Sequence, residues 1–407
     1  MAAGSPSPAR VVAVACALAA LLLAACGPSP APPPDTGLRA ITLRPTVPSP
    51  APTPTQRQAP PTDTPAPAGC TDEEIAALVR ALPAYQPGSG SFVTVGEGGF
   101  LLGGKAFVVR GVDYYPARFP WHRFPLADLS TVEQDFATLK AAHVNTVRLF
   151  VWHAPFFVCP EHGAVPNPSA FLWLDSAMRL ASAYGLRVIP VLNDLPDIDQ
   201  QRMYEDSGQS IAQTTVIVSR YRDEPAVLAW DLRDAGDADY TPSGDAPAPF
   251  TREQVQDWLA LAAAAVREAD PRHPITAGWA NDSEATISLV DVVSFQHFGD
   301  TLSLRERVAA LRQYTAKPLL LVSFGFSTAQ VSEAGQAQAF RTAIRAAEGD
   351  HLAGWLAWTM YDFPPEAACW PEPCTGQDGA GLHFGLWHAD GTRKPAANAL
   401  ETFAAGP

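Results

Sequence analysis

Val144-Asn145-Thr146-Val147-Arg148-Leu149-Phe150 and Arg187-Val188-Ile189-Pro190-Val191-Leu192 decide the fold, because between them lies an amphipathic helical stretch from Ala170 to Tyr184. Two apolar, β-branched runs joined through a helix read as parallel neighbours in one sheet. The pattern continues in both directions. Strand-like runs recur at Ala106 to Val112, Val227 to Leu232, Ile275 to Trp279, Val292 to Phe298, Leu319 to Phe324 and Gly354 to Met360, which makes eight. Helical patterns fall between them at Thr131 to Ala142, Ile211 to Tyr221, Arg252 to Ala269, Leu304 to Tyr314 and Gly335 to Glu348, with Pro395 to Phe403 last and only a short helix near Glu284 to Leu289. Strict alternation of eight strands with helices predicts an α/β fold, a (β/α)8 TIM barrel over residues 91–407. Its chemistry belongs at the C-terminal ends of the strands.

Outward from the barrel, Phe92 to Val95 and Phe100 to Leu102 predict a small N-terminal hairpin that plugs the lower end. Before it, residues 70–90 hold a short helix opened by a Thr71/Glu74 capping box and reaching about Leu82, then a connector. From Gly27 to Ala68, 14 of 42 residues are Pro and none is aromatic, so this stretch cannot bury a core. Residues 27–69 are expected to form a disordered, extended stalk. Residues 1–26 read as an export signal: Arg10, an apolar run from Val11 to Leu23, then Leu23-Ala24-Ala25-Cys26. That tetrapeptide resembles a bacterial lipobox, with Cys26 as the lipidated mature N-terminus. The expectation is an extracytoplasmic protein, lipid-anchored to the cell membrane.

The net charge of −14 argues against nucleic acid or anionic lipid as a partner and is compatible with a neutral glycan. No cysteine or histidine spacing suggests a metal, and no cofactor is expected. In an oxidising compartment, Cys369 and Cys374 form the obvious local disulfide, which leaves Cys70 with Cys159. A monomer is expected.

Several segments, in order, resemble the clan A glycoside hydrolases, in particular the family 5 group of cellulases and β-mannanases. Gly104 to Tyr115 is similar to the opening strand, Val144 to Phe150 to the second, and Tyr221-Arg222-Asp223-Glu224-Pro225-Ala226 leads into the fourth. Asp291 to Phe295 is similar to the sixth, Lys317 to Leu321 to the seventh, and His383-Phe384-Gly385-Leu386 with Gly391 to Ala396 to the tail. The resemblance implies a fold that acts on β-linked polysaccharide of the β-mannan or β-glucan class.

It also implies where the catalytic carboxylates belong, one acid/base and one nucleophile about 5–5.5 Å apart. The acid/base is the Glu of an Asn-Glu-Pro ending strand four, where this chain has Asp234-Ala235-Gly236; the nucleophile is the Glu of a Gly-Glu-Phe-Gly ending strand seven, where it has Val322-Ser323-Phe324-Gly325. Ala235 has no proton to give, and an unactivated Ser323 is a poor nucleophile. The strand-six His-x-Tyr pair is replaced by Gln296-His297-Phe298, and Arg148, which braces the nucleophile in the family, is kept without it. A buried unpaired guanidinium is costly, so Arg148 is expected to pair with Asp234, Asp113 or Asp194.

Among strand-end residues, Trp152, Trp279 and Trp358 stand where the family stacks sugar rings. Arg148, Asn193, Asp234 and Gln296 complete the expected binding set. Asp194, Asp234 and Asp362 are the carboxylates available for a relocated dyad, while Asp197, His297 and His383 read as caps or structural groups. The reading is therefore a cell-surface, glycoside-hydrolase-like protein that binds glycan without hydrolysing it. Two alternatives stand beside it: an active O-glycosyl hydrolase with relocated carboxylates, and a structural or adhesive module.

Overall fold

The computed structural model describes residues 70–194, 200–242, 247–368 and 379–404. Cys26, the Pro-rich segment, Asp197 and the Cys369 and Cys374 pair lie outside the described residues. The described chain opens with helix α1 (Asp72–Ala81), held by the expected capping box, in which Thr71 and Glu74 satisfy each other's backbone N–H groups. Strands β1 (Val93–Gly96), β2 (Gly99–Leu102) and β3 (Lys105–Phe107) form a small antiparallel sheet. The barrel and its helices follow: β4 (Val109–Tyr114), α2 (Leu129–Ala141), β5 (Thr146–Phe150), α3 (His153–Phe156), the two-residue strands β6 (Phe157–Val158) and β7 (Val165–Pro166), α4 (Pro168–Ala183) and β8 (Arg187–Val191). Beyond these come α5 (Gln200–Glu205), α6 (Ser207–Tyr221), β9 (Trp230–Asp234), α7 (Arg252–Ala269), β10 (Ile275–Gly278), β11 (Val293–His297), α8 (Thr301–Tyr314), β12 (Leu319–Phe324), α9 (Glu333–Gly349), β13 (Gly354–Ala357), α10 (Pro365–Ala368) and α11 (Pro395–Ala404).

Eight strands form one parallel sheet in the order β10-β9-β8-β5-β4-β13-β12-β11. Its two ends meet through Thr276 Oγ1 donating to the Val292 carbonyl (2.8 Å), Ser294 Oγ to Ala277 (2.7 Å) and the Gln296 N–H to Trp279 (3.1 Å). The sheet is therefore a nearly closed TIM barrel. Side chains alternate across it. Ile189, Leu228, Ala229, Val292, Leu320, Val322 and Leu356 share the apolar filling of the lower barrel with Val93 and Phe100 of the small sheet, which closes that end as expected. The opposite faces of the strands pack against the helices in a larger cluster that includes Val147, Leu149, Leu319, Leu321, Phe340 and Trp258.

Most element bounds shift by a few residues, and three departures from the sequence reading have a local reason. The expected first strand breaks at Val108: residues before it pair antiparallel with β2, and residues after it enter the barrel. The fourth strand lies at Trp230–Asp234, because Val227 makes only an isolated bridge to Val188. Helix α5 was not expected; it precedes the Asp206 side-chain cap that starts α6. A disulfide joins Cys70 to Cys159 (Cα–Cα 5.7 Å), tying the entry of the domain to the loop between β6 and β7.

Candidate functional site

Continuing inward-facing positions up the barrel, the apolar filling gives way to charge. Asp113, near the upper end of β4, and Arg148 and Asp231, within β5 and β9, are completely buried. The Arg148 guanidinium donates to Asp231 Oδ2 through Nε (3.0 Å) and Nη2 (2.7 Å), to Asp234 Oδ1 through Nη2 (2.7 Å), and lies 3.5 Å from Asp113 Oδ1 through Nη1. Its carbon sits 4.8 Å from the centre of the Phe150 ring. Gly278 makes this packing possible, since a Cβ there would come within 2.5 Å of Arg148 Nη2; the Gly278 N–H also donates to Asp231 Oδ1 (2.9 Å).

Two of the three expected partners of Arg148, Asp234 and Asp113, are therefore found. The third, Asp194, instead accepts from the Tyr115 hydroxyl, and Asp231 takes its place. Asp231 gave no sequence signal, because it sits mid-strand where an inward position ordinarily carries an apolar residue.

Ser323 is buried beneath this cluster and donates its hydroxyl to Asp113 Oδ2 (2.7 Å). Burial, outweighing the attraction of Arg148, pushes the Asp113 carboxyl up to about 8, so it carries a proton at neutral pH. Burial raises Asp231 as well, against the pull of Arg148. Arg148 loses solvation too, but Asp231, Asp234 and Asp113 hold it charged well above its ordinary range.

Asp234 is the carboxylate of the cluster that keeps some exposure, 14% of its side chain, and its Oδ1 accepts from both Arg148 and Gln296 Nε2 (2.9 Å). Gln296 donates also to the Gly278 carbonyl (3.0 Å). Ala235, next in the chain, is half-buried in the left-handed region (φ 44°), its N–H bound to the Gly278 carbonyl (2.9 Å).

The aromatic residues separate into two groups. Trp358 is half-buried at the upper end of β13, consistent with its expected place at the mouth. Trp279, expected as a sugar contact, is fully buried: its Nε1 donates to the Tyr240 hydroxyl (3.0 Å) and its ring lies directly under Gly236. Trp152 is also buried and donates to the Tyr115 hydroxyl (2.9 Å). At this burial neither indole offers an open face to a pyranose.

Two other expected residues are committed to structure. Asn193 gives its amide hydrogens to Thr214 Oγ1 (3.1 Å) and the Leu232 carbonyl (3.0 Å). Asp362 binds the buried Lys394 ammonium at 2.6 and 2.8 Å and accepts the Gly385 N–H at 2.8 Å, so it fastens the C-terminal segment. His297 turns Nε2 to the Asp300 carbonyl (2.9 Å), with its pKa lowered by burial, and the His383 carbonyl accepts from the Thr328 N–H (2.9 Å).

No protein-family model matches the chain. A 123-residue stretch is 28% identical to mannan endo-1,4-beta-mannosidase F of Aspergillus clavatus, covering 26% of this chain and 26% of that protein, so the match spans about a quarter of the curated relative. Among solved structures, the endo-1,4-beta-mannanase from Rhizomucor miehei superimposes with a TM-score of 0.60 at 17% identity, over 78% of this chain and 100% of that one. An exo-beta-1,4-mannosidase from Opitutaceae bacterium strain TAV5 gives 0.65 at 19%, over 77% and 62%. GH5_18 from Streptomyces cattleya, in complex with GlcNAc, gives 0.61 at 19%, over 74% and 80%. At these identities the likeness establishes a shared fold: the chain has the barrel that these β-mannoside-directed and GlcNAc-binding proteins are built on.

Proposed function

We propose that this protein binds β-linked glycans of the β-mannan or β-glucan class at the upper end of its barrel and does not hydrolyse them. One observation carries the reading. Where the resembling family needs two facing carboxylates there are Ala235 and Ser323, and the carboxyl groups nearby, Asp113, Asp231 and Asp234, are gathered on one guanidinium. A glycosidic bond needs proton donation and stabilisation of an oxocarbenium-like centre from opposite sides. Here the Ser323 hydroxyl is occupied by Asp113. Sugar affinity needs only an aromatic face and hydrogen-bonding groups, which Trp358, Asp234 and Gln296 supply. The names of the similar mannanases and of the GlcNAc complex support the choice of sugar class.

The test is to incubate the protein with β-mannan, β-glucan and aryl β-glycosides while measuring binding and released reducing sugar together. Binding without product is expected, and it should weaken in Trp358→Ala. A second reading, hydrolysis by relocated carboxylates, is favoured by the Oδ2 of Asp234, which accepts no hydrogen bond among the described residues; it requires product formation that Asp234→Asn abolishes. A purely structural or adhesive module would bind none of these glycans.

The proposal extends to location: an exported protein held on the membrane by a lipid on Cys26, supported by the Leu23-Ala24-Ala25-Cys26 sequence. Mass spectrometry of the membrane fraction tests this, and an unmodified Cys26 overturns it.

A further inference from the structure

Trp121 lies in the loop between β4 and α2, at the start of a 3-10 turn (Trp121–Leu126), and its backbone is left-handed, with φ 58°. For a bulky L-residue that conformation is strained and persists only where the surroundings over-determine it. They do so here. The indole N–H donates to the Ala368 carbonyl at the end of α10 (2.8 Å), and the ring meets Tyr115 edge-on (5.1 Å) and Phe363 at a tilt (5.4 Å). Held in this way, the ring lies parallel to Trp358, with centroids 6.1 Å apart and planes 13° apart. Phe150 meets Trp358 at right angles, 6.0 Å away. Trp121 is 8% exposed while Trp358 remains half-buried, so Trp121 is the anchored member of the pair and Trp358 the more accessible one.

We propose that Trp121 is a positioning residue for a sugar platform: it backs one face of Trp358 and thereby presents the opposite face to the apolar C–H side of a pyranose. This rests on the reading that the cleft binds glycan. A pyranose stacked on an indole gains affinity only if the indole does not have to be ordered on binding, since fixing a mobile side chain consumes part of the interaction. The strained Trp121 backbone, its hydrogen bond to Ala368 and its contacts with Tyr115 and Phe363 do that ordering beforehand.

The experiment compares wild type, W121A, W121L, W121F, W358A and the double variant W121A/W358A. Affinities for manno- and cello-oligosaccharides are taken by calorimetry at a temperature well below each melting point. W121A and W121L should bind roughly tenfold more weakly, and W121F within a few-fold of wild type, because a parallel ring is restored. The double variant should bind no more weakly than W358A, since Trp121 acts through Trp358.

Independent, additive losses overturn the proposal, as does a W121L affinity within twofold of wild type. A crystal structure of W121L reads the positioning without ligand: a displaced or multiply oriented Trp358 is expected, and a Trp358 that superimposes on the wild-type ring overturns it. Wild type that binds none of the glycans would instead sink the binding reading, while the W121L structure still decides the positioning.

Discussion

Replacing Asp113 by Asn should stabilise the protein, by an amount that grows with pH. In the folded barrel this carboxyl is held up to about 8, against an ordinary value of 3.8. Between those values the folded chain keeps a proton that the unfolded chain releases. The stability tied to this group is therefore complete below about pH 4 and drains away as pH rises through 8. Each unit is worth about 1.4 kcal/mol, so the wild type loses on the order of 3 kcal/mol between pH 5 and pH 7 that the variant does not lose.

Asn reproduces the neutral group. Its oxygen can face Arg148 and its amide can donate to Ser323 Oγ, so the 2.7 Å contact survives with donor and acceptor exchanged. For a domain of this size the difference corresponds to roughly 5 °C in melting temperature. Thermal and urea unfolding at pH 5, 6, 7 and 8 measure it. Curves for the two proteins that run parallel across that range, or an Asn variant that melts below wild type at pH 7, would refute the argument that Asp113 is protonated when folded.

Arg148→Met should cost about 3–5 kcal/mol, because it leaves Asp231 and Asp234 without their counter-charge; the loss should be smaller at pH 5 than at pH 8, and an unchanged urea midpoint would contradict it. Ala235→Gly should stabilise by about 1 kcal/mol, since a φ of 44° is strained for any residue with a Cβ, and a lower melting temperature would count against that account. Removing the Cys70–Cys159 bridge with paired serines should cost about 2–5 kcal/mol, because it closes a loop 89 residues long; equal stability of wild type with and without reductant would show otherwise.

The architecture was legible because a closed parallel barrel imposes one period on the whole chain. Helix α7 has the expected bounds, Arg252–Ala269, and β12 has them at Leu319–Phe324. Failures occurred where tertiary contact overrides local pattern. The run from Ala106 to Val112 is continuous in sequence, yet the sheet it pairs with changes at Val108.

The site was legible at its hub and obscure at its edges. A guanidinium at Arg148 in an apolar strand demands partners, and the strand-end carboxylates Asp113 and Asp234 are among those that meet it. Asp231 and Trp121 escaped notice, the first hidden mid-strand and the second in a loop without periodicity. Trp279 misled for the opposite reason: a strand-end position says which end of the barrel a residue occupies, not whether a loop closes over it, and Gly236 does.

The Cys70–Cys159 bridge determines how the domain would bear a load. Whatever precedes Cys70 is covalently fastened to the loop that follows β5, on the rim that also carries Trp152, and not to the opposite pole where the small sheet sits. Tension arriving through the leading chain would cross the sulfur–sulfur bond and enter the barrel at that rim. Within the stretch that the bridge closes, α1 and the small sheet would lie off that path, while β5 and β4, which stand between the loop of Cys159 and β13, would carry it. A pull between the leading chain and a glycan held at Trp358 would thus run along the upper edge of the barrel, and the hydrogen-bonded plug beneath it would never be asked to resist.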